Sequence, residues 1–395
     1  MTMSPDSKPR LPSHYYLLYE PPDSKGDEAL IFLSERRKVK LKGTSFREFL
    51  RHVVPLLDGR HTVAEIEQAA TDLFPGREVS AALELLSQQH LLAEGDDLSR
   101  ANPALAPQLN FFHEVSEKPG EVQQRLARAT VSIVGLSGGG SLVAGNLAAA
   151  GVGHLRLIDN SAVLETDAYF DPVYHDADAG DTRTGVLQRA IQRRSPLVNV
   201  SIDDPPTDNE EALAASVAGS DLLVCCADRG QSALLYKLNR VCSRAAISWM
   251  SCTASGFEVV VGPTVRPNKT PCYLCYTMRS VACAENPEDA FGVHRFLDHR
   301  KHDDSGQREN LSVTVGLAAS LLGLEALKFL TGFAPCATNG AILVADITEM
   351  AFKKHVVLRH PGCPVCFGAP VPAKRETESA VESLTAAEHA AASLA

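Results

Sequence analysis

The chain has 395 residues, 45% hydrophobic and 22% charged, with a formal net charge of −10; this is enough to bury the cores of two or three domains, and the acidic balance excludes a general nucleic-acid binder, which needs a basic surface. The polar, proline-broken start Met1–Pro12 lacks the apolar stretch of a signal peptide, and no apolar run suggests a membrane span of ~20 residues. Ten cysteines spread thinly over a long chain read as free thiols and a metal site rather than disulfides, so a cytoplasmic protein with no membrane or nucleic-acid partner is expected.

Residues 13–97 read as a small α+β unit. Ala29–Leu33 and Val39–Leu41 have strand composition, and the charged turn Ser34–Lys38 joins them as a hairpin. Three amphipathic helices follow. Ser45 with Glu48, and Thr62 with Glu65, have capping-box spacing, in which the N-cap hydroxyl and the N3 carboxylate each satisfy the other's backbone N–H. The third helix is expected from about Val79 to Leu92. Strands plus three short helices predict a winged-helix-like module. Its third helix has no Lys or Arg across Ser80–Gln89, which points to peptide or protein binding rather than DNA.

Residues 98–120 read as a linker, and Glu121–Arg128 as a short helix. The β-branched strand Ala129–Val134 runs into Gly135-Leu-Ser-Gly-Gly-Gly140, a helix over Ser141–Ala150 and the strand His154–Ile158, which closes on Asp159. This β-α-β unit predicts a doubly wound, Rossmann-like α/β domain over residues 121–370. Gly135, Gly138 and Gly140 would let backbone N–H groups approach phosphate at a helix N-terminus, and Asp159 would accept ribose hydroxyls; the same glycines also suit tight packing without a nucleotide. Further strands are expected at residues 221–225, 246–251 and 257–262. Leu311–Leu330 reads as a buried helix, because Glu325 and Lys328 interrupt it, and residues 371–395 as a disordered tail.

Two Cys-x-x-Cys pairs, Cys272/Cys275 and Cys363/Cys366, carry the strongest chemical signal. Four thiolates close a tetrahedral zinc ion, so a structural Zn2+ site is expected. Cys283 is a candidate reactive thiol, with an ordinary loop cysteine as the alternative; Cys225 and Cys226 read as core. His294, His299 and His302 with Asp298, Asp303 and Asp304 match no standard zinc spacing and read as a solvated loop. Gly135-Leu-Ser137-Gly-Gly139 has the spacing of a hydrolase nucleophile elbow, but its serine sits in the phosphate turn and no partner order supports it.

Gly135–Asp159, Asp228 at the end of Val224-Cys-Cys-Ala-Asp228, and the two Cys-x-x-Cys turns, in that order, resemble the ThiF-like, ubiquitin-activating-enzyme-like adenylating fold over residues 108–367. The resemblance implies a homodimer that binds ATP and Mg2+ and attaches AMP to a C-terminal carboxylate. Asp159 would hold the ribose, Asp228 would bind Mg2+, and Arg183 stands where the family has a phosphate-binding lysine. Asp228 and Arg183 are the catalytic candidates if adenylation is retained. The departures are specific. Asp167-Ala-Tyr-Phe-Asp171 replaces the family's Asn-Leu-x-Arg-Gln, with Phe170 at the arginine; Pro107-Gln108 replaces Arg-Gln; Ser137 replaces a glycine. Each lost charge-stabilising donor costs about 10²–10³ in rate, so a degenerate site is expected unless Arg183, Arg189 or Arg193 substitutes.

A winged-helix-like module ahead of such a domain is similar to the leader-binding partner proteins, carrying a recognition element, of pathways for ribosomally synthesised, post-translationally modified peptides (RiPPs) that install thiazole and oxazole rings. Gln108–Phe112, Gln123–Leu126, Cys272–Cys275, Arg308–Leu311 and His360–Cys366 carry the likeness. It implies that a precursor leader adds as an extra strand along Val39 and Leu41, with Leu83, Leu86 and Leu91 as groove candidates that serve equally as core, and that a separate YcaO-type cyclodehydratase performs the ATP chemistry. The basic turn Arg36–Lys40 suits an acidic leader, and equally an ordinary solvated face. The alternatives are an adenylating enzyme acting on a peptide and a dinucleotide-dependent oxidoreductase, which the cysteine pairs and Asp228 disfavour.

Overall fold

The computed structural model describes residues 3–75, 78–94, 103–116, 118–137, 139–205, 209–226, 232–299 and 311–367. The chain divides into two compact units, Met1–Ala129 with Ala149–Gly153 and Leu327–Pro335, and Thr130–Ala148 with His154–Ala326 and Cys336–Ala395.

The first unit holds β1 (Pro9–Arg10), β2 (Tyr16–Glu20), β3 (Glu28–Leu33), β4 (Lys38–Gly43), α1 (Phe46–His52), α2 (Val63–Ala70), α3 (Glu78–Gln88), β5 (Ala93–Glu94), α4 (Ala106–Val115) and α5 (Pro119–Arg128). Strands β2, β3 and β4 form an antiparallel sheet in that order, and β1 pairs with β5. Leu30 and Phe32 of β3 pack with Phe49, Val53, Ile66, Leu83 and Leu86 of the helices, which gives the module its own core. Thr62 and Glu65 form the expected capping box. Ser45 does not: its φ of 64° is left-handed and its side chain makes no cap bond, because the chain must turn sharply from β4 into α1. Glu48 instead faces Arg51 and His52 one turn on. The third helix stops at Gln88, short of Leu92, since His90 turns left-handed at φ 52° and sends Leu91 into the core. The segment read as a linker contains α4, whose Leu109, Phe112 and His113 are buried.

The second unit holds β6 (Thr130–Val134), α6 (Gly140–Ala149), β7 (His154–Ile158), α7 (Asp167–Phe170), α8 (Arg183–Arg194), β8 (Asn199–Asp203), α9 (Glu210–Val217), β9 (Leu222–Cys225), α10 (Ser232–Ala245), β10 (Trp249–Ser255), β11 (Glu258–Val261), α11 (Tyr273–Ala282), α12 (Pro287–His299), most of α13 (Ser312–Thr331), β12 (Ala341–Asp346) and β13 (Ala351–Val356). Strands β8-β7-β6-β9-β10 run parallel in the doubly wound order, so the expected α/β fold is present. Strands β11, β12 and β13 extend the sheet antiparallel. The order reverses between β6 and β9, the crevice at which such sheets bind ligands, and the glycine-rich turn follows β6. Helix α13 is the one described helix long and apolar enough to cross a membrane. One stripe of it, Val315, Ala318, Ala319, Leu322 and Ala326, is buried, and buried Glu325 accepts bonds from the Thr338 N–H and hydroxyl, each at 2.8 Å.

Candidate functional site

The turn after β6 is built by backbone geometry. Gly135 and Gly139 take φ values of 80° and 109°, which side chains rarely allow, and a Cβ on Gly140 would stand 1.9 Å from the Gly135 carbonyl oxygen. Asp159, at the end of β7, accepts from the Leu136 N–H at 2.7 Å and the Ser161 N–H at 2.8 Å, which orients its carboxylate against the turn. The Tyr174 hydroxyl donates to the Leu136 carbonyl at 3.0 Å, and burial pushes its pKa up, so it stays a neutral donor. Cys226, just past β9, lies on the other side of the crevice and approaches the Gly140 position. Gly138 and Asp228 lie outside the described residues.

The side chains around this turn are acidic, and their cation is committed. Arg183 opens α8 nearly buried, and its Nε and Nη2 both donate to one oxygen of Asp167, at 3.0 and 2.8 Å. Asp167 also accepts the Leu164 N–H. Burial raises the Asp171 pKa, partly offset by the Ser141 hydroxyl and the Val173 N–H, both of which donate to it. Arg189, offered as a substitute, pairs with Asp181 at 2.8 Å. Together with Arg193, His175 and Asp178 it lines an open cleft of about 570 Å³. The backbone therefore fits a phosphate-cradling turn. Of the arginines offered for adenylyl transfer, Arg183 is held by Asp167 and Arg189 by Asp181, while Arg193 has no ion pair among the described residues. Gln108, which follows Pro107, donates to the Gln123 side chain and, at 2.8 Å, to the Ala150 carbonyl, which is a structural role.

The four cysteines converge. Cys272 caps α11, Cys275 lies in its first turn, and Cys363 and Cys366 bracket a tight turn closed by the Phe367 N–H on the Cys363 carbonyl. The Sγ atoms of Cys272/Cys275, Cys272/Cys363 and Cys275/Cys366 are 3.9, 3.5 and 3.6 Å apart. A tetrahedron with Zn–S bonds of 2.3 Å has edges of about 3.8 Å, so the donor set fits Zn2+. Burial pushes the Cys272, Cys363 and Cys366 thiols up to about 11. Burial also opposes the Cys275 thiolate, but the His360 N–H, which donates to its sulfur at 3.3 Å, and the Cys363 and Cys366 thiols outweigh it and hold Cys275 below the usual thiol value. Arg279 donates to the Arg359 carbonyl, fixing the same arm to α11. Cys225 and Cys226 are buried, as expected, and Cys226 lies 3.9 Å from Cys252; Cys283 is exposed at the end of α11. His302, Asp303 and Asp304 lie outside the described residues.

In the first unit, Val39 and Leu41 are half-buried against the module's core, while Leu83 and Leu86 are fully inside it. Arg37 donates to the carbonyls of Gln89 and His90 at 2.7 and 3.1 Å, tying the start of β4 to the end of α3. Among the described residues, β4 is paired on one side only. Strand β2, with its exposed Tyr16 and Leu18, was not foreseen: apolar residues on its outward face erase the alternation that marks a strand.

A model of the ThiF family matches residues 105–365. The chain is 28% identical to the molybdopterin-synthase adenylyltransferase of Escherichia coli over 248 residues, covering 62% of this chain and 89% of that protein. It is 30% identical to the sulfur carrier protein adenylyltransferase of Thermus thermophilus over 259 residues, covering 63% and 86%. Among solved structures, the microcin C7 biosynthetic enzyme MccB in complex with N-formylated MccA matches with a TM-score of 0.64 at 19% identity, covering 91% of this chain and 99% of that one.

Proposed function

Because the chain belongs to the ThiF family, we propose that it is a leader-peptide-binding, zinc-containing component of a RiPP biosynthetic system in the cytoplasm, delivering precursor peptide to a YcaO-type cyclodehydratase, with a degenerate ATP site. The observation that carries this reading is Arg183: at the family's phosphate-binding position, its guanidinium is buried and donates to Asp167. The β4 edge, unpaired among the described residues, supports the binding role. So does the likeness to the biosynthetic enzyme MccB, solved in complex with N-formylated MccA, which covers more of this chain than residues 105–365 span. Cys272, Cys275, Cys363 and Cys366 would hold a zinc ion with no open position, so the metal supplies cross-linking and no chemistry on substrate.

Fluorescence anisotropy of a labelled precursor leader tests the role, using the full chain and the chain lacking residues 3–94. The leader is expected to bind only the former; equal affinity contradicts the reading. As a homodimer, the chain would cover the exposed Val313 and Leu324 of α13 with a second copy, and light scattering at the dimer mass is expected.

The second reading is an ATP-dependent enzyme that activates a peptide carboxylate or side chain by adenylation. The left-handed Gly135 and Gly139, the close approach of Gly140 to Gly135 and the orientation of Asp159 favour it, with Asp228 and Arg183 as its catalytic residues. Pyrophosphate exchange with Mg-ATP and precursor separates the two readings: exchange by the chain alone establishes the second.

A further inference from the structure

Resting on the leader-binding reading, we infer that β4 selects a peptide strand with acidic residues four apart and apolar residues between them, in the pattern acidic-apolar-any-apolar-acidic. The Ser34 N–H donates to the Arg37 carbonyl at 2.8 Å across a two-residue loop, which makes Ser34 and Arg37 a hydrogen-bonded pair. Antiparallel pairs alternate, so Phe32/Val39, Leu30/Leu41 and Glu28/Gly43 bond to each other, while the backbone N–H and C=O groups of Lys38, Lys40 and Lys42 point away from β3. An incoming strand bonds to those three residues. Peptide residues directly opposite a lysine place their side chains on the lysine's face of the sheet, and the residues between them fall on the Val39 and Leu41 face.

The two faces differ in chemistry. Val39 and Leu41 are half-buried on the module's apolar core, so the peptide residues beside them are apolar. Lys38, Lys40 and Lys42 are exposed on the other face. Lys40 already pairs with Glu20 of β2 at 2.5 Å, which neutralises the middle position. Lys38 and Lys42 have no ion pair among the described residues, and they sit opposite positions i and i+4 of the peptide.

The test is anisotropy with fluorescein-labelled Glu-Leu-Ser-Leu-Glu and Lys-Leu-Ser-Leu-Lys, each in Gly-Ser flanks, titrated into the full chain and its Lys38→Glu/Lys42→Glu variant. Exposed ion pairs are individually weak, but exchanging attraction for repulsion at two positions gives a preference of about tenfold. The native chain is expected to prefer the acidic peptide, and the variant the basic one, with both preferences shrinking in high salt. Equal affinities on both proteins, or no binding of either peptide, overturn the inference. The leader reading stands or falls separately, on whether precursor affinity depends on residues 3–94.

Discussion

Replacing Cys366 with Ser removes one zinc ligand and cuts the metal clip between α11 and the C-terminal arm. Cys275 and Cys363 are separated by about 90 residues, and closing a loop of that length is worth about 4–5 kcal/mol of unfolded-state entropy. The second unit keeps its own core around Trp249, Leu238 and Val134, so the variant is expected to fold in the cold rather than lose structure outright. For a unit of this size each kcal/mol shifts the melting temperature by about 2–4 °C, which gives a fall of roughly 10–20 °C. Metal analysis and calorimetry read both quantities: one zinc per native chain, none in Cys366→Ser, and no further loss when the variant is treated with chelator. A zinc-free variant melting within about 2 °C of the native chain would refute the reasoning, because the loop would then be held by packing alone.

Three other outcomes follow from the geometry. Arg183→Ala leaves Asp167 buried and unpaired, so urea unfolding should show a loss of about 3–5 kcal/mol, largely recovered in Arg183→Met/Asp167→Leu; an unchanged midpoint would mean that the pair is not structural. Burial, then the neighbouring His14, push His113 down to about 4 from 6.5. The unfolded chain therefore takes up a proton first: stability is full above pH 6.5 and falls as pH drops toward 4, by at most about 3 kcal/mol, and His113→Gln should flatten that part of the urea profile. Gly140→Ala drives a methyl into the Gly135 carbonyl and should cost about 1–3 kcal/mol; native stability would contradict the close approach.

The sequence made the β-α-β unit legible because its strand is apolar and β-branched and its turn is rich in glycine, and it made the metal site legible because spacing alone brings thiolates into pairs. Other elements carried misleading signals. Pro103 and Pro107 suggested a connector, yet Pro107 lies in the first turn of α4, where a missing N–H costs nothing. Strand β13, Ala-Phe-Lys-Lys-His-Val, is exposed on nearly every residue and so shows no alternation. Ser45 has capping-box spacing, but the bend after Gly43 sets its backbone left-handed, and spacing does not report that. The fate of Arg183 was hidden for another reason: its partner Asp167 lies sixteen residues away, and pairing at that distance is decided by how α7 and α8 pack.

The binding role rests on β4 as a docking edge, and Lys40→Pro tests that role most directly. The Lys40 N–H points away from β3, so proline removes an edge donor without removing a bond within the sheet. The expected result is a loss of labelled-leader affinity of about tenfold or more with little change in melting temperature. Undiminished leader affinity in a folded Lys40→Pro chain would contradict the account.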